Sequence, residues 1–225
     1  SEEYKISVIT LSLGTIAVFQ NHCDDVYMPV SQSLESAVAK NISVTIASGN
    51  GGNSNGISWP ACISSSIPVA ATNKNDYLTS YSNYNDLVKI FAPGTAITST
   101  CFYGTYCTKT GTSMATPMVA GAIAIANQYK QLTEKTMPPF EIEAVLKQTG
   151  DPIINLPENW KRININKFLN FKRADLNNDS QVASNDLALL LGAWGNCEIC
   201  PEDLNSDGFV GDADLSLLLE SWSSL

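Results

Sequence analysis

Apolar and polar positions along this chain follow two rhythms, and the change between them falls near residue 172. A short apolar run from Ile6 to Leu13, stopped by Gly14, predicts a strand, and Ile42 to Ala47 predicts a second. Between them, Ser31 to Lys40 carries its apolar residues at helical spacing. Val69-Ala70-Ala71 and Leu87 to Phe91 predict two further short strands. Met114 to Tyr129, rich in Ala, Val and Ile, predicts a largely buried helix, and Glu141 to Gln148 another that Gly150 closes. Strands alternating with helices predict an α/β domain with a parallel sheet over residues 1–171.

After Phe171 the pattern changes to carboxylate-rich loops followed by leucine-rich turns of helix, which puts a boundary at Lys172 to Ala174 and a second domain over 172–225. This segment repeats itself. Asp175-Leu176-Asn177-Asn178-Asp179 returns as Asp203-Leu204-Asn205-Ser206-Asp207, a repeat of 28 residues. Behind each loop, Leu187, Leu190, Leu191 and Trp194 match Leu215, Leu218, Leu219 and Trp222. These i, i+3, i+4, i+7 stripes predict that two helices pack on each other through these residues in a small all-α unit.

Composition narrows the picture. With 44% apolar and 16% charged residues among 225, the chain can bury a core. Its net charge of −9 argues against a nucleic-acid partner, which needs clustered Lys and Arg. No apolar run reaches the roughly 20 residues that span a bilayer. Six cysteines group by position as Cys23 with Cys62, Cys101 with Cys107 and Cys197 with Cys200, although sequence does not settle connectivity. With His22 the only histidine, disulfides in an oxidising, extracellular compartment explain them better than metal ligation. The chain opens on Ser1 and runs at once into a buried-strand pattern, so the expectation is a break within a longer protein.

Gly111-Thr112-Ser113-Met114-Ala115-Thr116-Pro117 places a serine where a glycine turn enters the long apolar helix. Backbone N–H groups at a helix start stabilise developing negative charge, although Ser and Thr are also ordinary helix caps. Ala47-Ser48-Gly49-Asn50-Gly51 offers a neutral amide donor between glycines, a context that equally suits a turn. Together with Val8-Ile9-Thr10-Leu11-Ser12-Leu13-Gly14, these segments resemble, in the same order, the nucleophile, oxyanion-hole and substrate-lining motifs of the subtilisin-like serine proteases. The resemblance covers residues 4 to about 170 and implies a three-layer α/β domain, here partial, that hydrolyses peptide or protein substrates.

By that resemblance Ser113 attacks the scissile carbonyl while the Asn50 amide and the Ser113 N–H bind the oxyanion. Ser12, Leu13 and Gly14 pair with an extended substrate, and Ser48 and Gly49 border the primary specificity pocket, where no charged residue is evident, implying a broad or apolar preference. The family supplies its Asp and His ahead of the Ser, and neither motif is present: His22 lacks the Gly-Thr-His context, and Asp24 and Asp25 do not match. The resemblance therefore places the base upstream and predicts that this chain alone is inactive. A protease-like scaffold without catalysis is the competing reading.

In the second repeat Asp203, Asn205, Asp207 and Asp214 hold positions 1, 3, 5 and 12 of a calcium loop, with Gly208 at 6 and the Phe209 carbonyl at 7. The first repeat sets Asp175, Asn177, Asp179 and Asp186 at the same positions with the Gln181 carbonyl at 7, but Ser180 replaces the turn glycine and predicts the weaker site. Such Asp and Asn clusters also make turns. The duplicated loop-helix units resemble dockerins, which implies Ca²⁺, a cohesin-type partner and attachment of a secreted enzyme to a surface.

Overall fold

The apolar runs of the larger unit lie side by side as strands. The computed structural model describes residues 6–132, 137–169, 174–177, 179, 181–197, 200–205 and 207–222. In chain order it has β1 (Val8–Leu11), β2 (Val18–Phe19), α1 (Met28–Val38), β3 (Ser43–Ala47), β4 (Ile57–Ser58), β5 (Ile67–Thr72), β6 (Ile90–Pro93) and β7 (Ile97–Thr100). A single 3₁₀ turn at Phe102–Gly104 joins β7 to β8 (Tyr106–Lys109). Then come α2 (Thr112–Leu132), α3 (Pro139–Thr149), β9 (Asp151–Pro152), β10 (Lys161–Arg162) and α4 (Ile165–Leu169).

The main sheet has the order β1-β3-β5-β6-β10-β9. Its first four neighbouring pairs are parallel, with Val8 opposite Ser43, Thr45 opposite Ile67 and Val69 opposite Ile90, and only β9 runs antiparallel to β10. Buried on both faces, β3 and β5 read as continuous apolar or small runs, as strands of a covered parallel sheet do. Alternate residues face opposite sides. Val44, Ile46, Ala70 and Phe91 pack with Leu34 of α1 in a core that includes no residue of α2. The intervening Ala47, Ala71 and Ala92 face the other side, where their small side chains let α2 lie across β1, β3, β5 and β6. Helices on both faces make the three-layer arrangement.

Leu87 to Lys89 belong to the turn before β6, because the Val88 N–H closes on Asn85 and the Lys89 N–H on Pro68. The hairpin of β7 and β8 was not evident in the sequence: Ile97-Thr98-Ser99-Thr100 carries too few apolar residues to mark a strand, and its pairing partner lies across a loop.

Contacts divide the chain into Ser1–Leu169 and Asn170–Leu225; the expected boundary after residue 171 lies outside the described residues. The smaller unit contains α5 (Ser184–Gly192), a two-stranded antiparallel ribbon of β11 (Gly195–Asn196) and β12 (Phe209–Val210), and α6 (Asp212–Glu220). It is therefore not all-α. The ribbon forms because the Cys197–Cys200 disulfide and the Cys197 N–H to Gly208 bond hold the linker against the second loop. The expected leucine stripes are only half used. Leu190 and Leu218 are fully buried with Val182, Leu204 and Val210, and Leu187 and Leu215 pack against them, whereas Leu191, Trp194, Leu219 and Trp222 are exposed.

Candidate active site

Helix α2 begins where the carboxyl ends of β1 and β3 stop, so Ser12, Asn50 and Ser113 converge although they are far apart in sequence. Ser113 is the second residue of α2, where the first backbone N–H groups have no acceptor within the helix. Its half-buried hydroxyl makes a long contact of 3.5 Å with the Ser12 carbonyl, and the Ser12 hydroxyl donates to the Ser113 carbonyl at 2.8 Å.

Asn50 is held by the start of the same helix. Its Oδ1 accepts the Thr112 N–H at 2.8 Å and the Thr112 hydroxyl at 3.0 Å. A backbone N–H demands an acceptor, so this contact fixes the orientation of the amide and leaves Nδ2, next to Gly111, as its donor. The Gly49 N–H in turn donates to the Thr112 Oγ1 at 3.3 Å. Helix start and loop are thus locked by one threonine.

The loop itself is organised by Asn83, a residue that sequence reasoning missed. Almost fully buried, Asn83 accepts the Gly51 and Asn53 N–H groups on its Oδ1, both at 3.0 Å, and its own N–H donates to the Gly49 carbonyl at 3.0 Å. Its Nδ2 donates to the Ser58 hydroxyl at 3.3 Å. Gly49 has φ +110°, and a Cβ there would collide with Ser58 Oγ and Asn83 Nδ2, so both backbone and space require glycine. No sequence signal marked Asn83, because its partners lie some thirty residues upstream.

Ser12, Leu13, Gly14, Gly49, Asn50 and Ser113 line one cavity of about 520 Å³, joined by Thr15, Ile16, Ser58, Asn83 and Thr112. Among the described residues no strand pairs with the outer edge of β1 in the main sheet, and Ser12 to Gly14 continue that strand, exposed. Ser48 is not brought to the cavity: fully buried, its hydroxyl donates to the Asn83 carbonyl at 2.7 Å. None of the described lining residues is His, Asp, Glu or Lys. His22 faces elsewhere, its Nδ1–H donating to the Cys62 carbonyl at 3.2 Å next to the Cys23–Cys62 disulfide. Burial disfavours the charge of Asp24, but the Ser64 hydroxyl and backbone N–H outweigh it and hold the carboxyl below its ordinary value.

The sequence model of the subtilase family, peptidase S8, matches residues 1–185. The chain belongs to the subtilase family. Among curated relatives, an intracellular serine protease of Paenibacillus polymyxa is 35% identical over 161 residues, which is 69% of this chain and 47% of the relative. Thermitase of Thermoactinomyces vulgaris is 34% identical over 139 residues, 62% of this chain and 47% of thermitase. A solved cold-adapted subtilisin-like serine proteinase superposes with a TM-score of 0.57 at 26% identity, covering 72% of this chain and 55% of its own. This subtilase chain spans about half the length of the curated relatives it matches.

The family match ends within the smaller unit, whose two loops repeat one set of contacts. The Asp179 N–H donates to Asp175 Oδ1 and Asn177 Oδ1, and the Asp207 N–H to Asp203 Oδ1 and Asn205 Oδ1. The Gln181 and Phe209 N–H groups close on Asp179 and Asp207. Gly208 has φ +88°, which suits glycine at the turn, and Ser180 lies outside the described residues. Asp186 and Asp214 are fully buried. Asp186 takes the Leu176, Asn177 and Ala183 N–H groups, and Asp214 those of Asn205 and Gly211. The oxygen donors at positions 1, 3 and 5 suit a hard cation, whereas the closing carboxylates are occupied by backbone donors. Among the described residues no three His, Cys, Asp or Glu side chains gather as a metal shell.

Proposed function

We propose that this subtilase chain carries the nucleophile, oxyanion hole and substrate edge of a secreted serine endopeptidase, with the triad's Asp and His outside these 225 residues. The reading rests on one observation: Thr112 engages Asn50 Oδ1, leaving Nδ2 as the donor of an amide that lines the same cavity as Ser113. In this reading Ser113 Oγ forms the acyl bond while its proton passes to the His, and the oxyanion meets donors already in place. The substrate strand adds to the outer edge at Ser12, Leu13 and Gly14. Its side chain before the scissile bond enters beside Gly49, and the uncharged lining there favours apolar residues. The disulfides support an extracellular location.

The test is labelling by a fluorophosphonate in the protein that joins this chain to its Asp and His. Labelling of Ser113, abolished together with peptide hydrolysis in Ser113→Ala, is the expected outcome. Hydrolysis surviving in Ser113→Ala removes the nucleophile, and a wild type that is never labelled turns the reading into that of an inactive scaffold.

For the smaller unit we propose a calcium-binding attachment module, with Asp175, Asn177, Asp179 and Asp203, Asn205, Asp207 supplying oxygen donors and a cohesin-like domain as partner. The exposure of Leu191 and Trp194 on one helix stripe and of Leu219 and Trp222 on the other supports it, since exposed large apolar side chains are available to a partner. Calorimetric titration of the 225-residue chain with Ca²⁺ should show binding, tighter in the loop carrying Gly208. No heat of binding and no change in thermal midpoint on chelation would leave the loops as turns.

A further inference from the structure

A second cavity, of about 530 Å³, meets the first at Ser113, the residue common to both linings. Its wall is β7 from Ile97 to Thr100, Cys107 and Lys109 of β8, and the Met114 and Pro117 side of α2. The hairpin forming this wall ends in an unusual tip. Tyr103 and Gly104 both take left-handed backbone, φ 58° and 71°, as the two central residues of a tight hairpin turn. Glycine does so freely, but for tyrosine the conformation is disfavoured.

The aromatic side chains at the tip face water. Phe102 is 81% exposed, Tyr103 fully exposed and Tyr106 75% exposed, so the fold gains nothing by burying them. Two further features hold the tip in place. The Cys101–Cys107 disulfide closes the hairpin on either side of it, and the Cys101 N–H donates to the Thr105 carbonyl at 2.7 Å. An aromatic cluster displayed on a strained but locked turn loses little freedom when it binds.

We propose that this tip is a docking surface for the polypeptide substrate on its leaving-group side. The proposal rests on the reading of Ser113 as nucleophile. Cavity continuity identifies the occupant, because a chain cleaved at Ser113 and leaving through the second cavity runs along β7 towards the tip. The four residues of β7 span roughly 13 Å at about 3.3 Å per residue, so an extended peptide reaches the aromatics about four residues beyond the scissile bond. Large apolar residues there would pack against Phe102 and Tyr106, the residue types that dominate protein contacts.

The experiment compares substrates with one acyl side and different leaving groups in the protein carrying this chain with its Asp and His. The leaving groups are p-nitroaniline, a two-residue peptide and a five-residue peptide with Leu or Phe at the fourth position. Wild type should gain at least about fivefold in kcat/KM from two residues to five, mostly through KM. Phe102→Ser/Tyr103→Asn/Tyr106→Ser should lose that gain and keep p-nitroanilide turnover, since asparagine tolerates the left-handed turn. Phe102→Ser alone supports the same comparison if the triple variant does not fold. A gain that survives both variants, or is absent from wild type, overturns the proposal. So does binding of wild type, but not the triple variant, to phosphatidylcholine vesicles with the peptide gain unchanged, which assigns the tip to a lipid surface. Failure of wild type to hydrolyse the p-nitroanilide through Ser113 instead overturns the nucleophile reading beneath it.

Discussion

At the scale of single residues, the site depends on which atoms of an amide are already engaged. Asn50 Oδ1 is held by Thr112, so Nδ2 is a preorganised donor rather than a mobile one. Asn50→Ala should therefore lower kcat with little change in KM; subtilisin itself loses about 10²–10³ when deprived of such a donor, and that magnitude is taken over rather than obtained from this geometry. Steady-state kinetics decide it, and a pure KM effect would return Asn50 to a turn role. Asn83 acts one step behind. Asn83→Ala frees the Gly51 and Asn53 N–H groups, so kcat should fall by roughly tenfold or more, and in the Asn50→Ala background the further loss should largely vanish, as coupled residues require. Additive losses would make Asn83 a stability residue only. Ser113 and Asn50 could be recognised in the sequence because short motifs carry them. Thr112 had no assigned role and Asn83 no mark at all, since their importance lies in partners distant along the chain.

Elements are tied together by a few buried contacts whose failure can be measured. Ile123 of α2 is fully buried against the sheet, and Ile123→Ala should cost about 2–5 kcal/mol, read from denaturant midpoints. At the far edge, Asp151 of β9 meets Lys167 and Asn164 at 2.9 Å and Arg162 of β10 at 3.4 Å. Burial works against the Asp151 charge, but bonds to Lys167 and Asn164 and the nearby cations hold the carboxyl below its ordinary 3.8. A carboxyl lowered in the folded state stabilises fully above its unfolded value and loses that contribution as pH falls through the lowered one. Asp151→Asn should lower stability at pH 7 and flatten the loss below about pH 4; equal losses at pH 7 and pH 3 would discard this account. The alternation of strands and helices was legible because a covered parallel sheet needs continuous apolar runs. The two-residue strands β9 and β10 were not, being too short to show a period.

For the whole molecule, the decisive feature is the chemistry around Ser113: the described lining of the first cavity has no His, Asp, Glu or Lys, and that of the second adds Lys109 but no His or carboxylate. The 225-residue chain alone should therefore react with a fluorophosphonate no faster than its Ser113→Ala variant, because an unassisted hydroxyl is a weak nucleophile; labelling at the rate of an activated serine would point to a base within the chain. The sequence by itself determined the α/β order, the segments around Asn50 and Ser113 that meet at one cavity, and the repeated acidic loops, since each is a local pattern along the chain. Only the tertiary structure decided that Ser48 is buried behind the cavity, that Asn83 holds the loop carrying Asn50, and that Asp186 and Asp214 cap backbone groups inside the smaller unit. It also decided which apolar residues are exposed: Leu191 and Trp194 share a stripe with Leu190, yet of the three only Leu190 is buried in the core of the smaller unit. Local patterns say which faces can be buried; what they are buried against depends on segments that meet only when the chain folds.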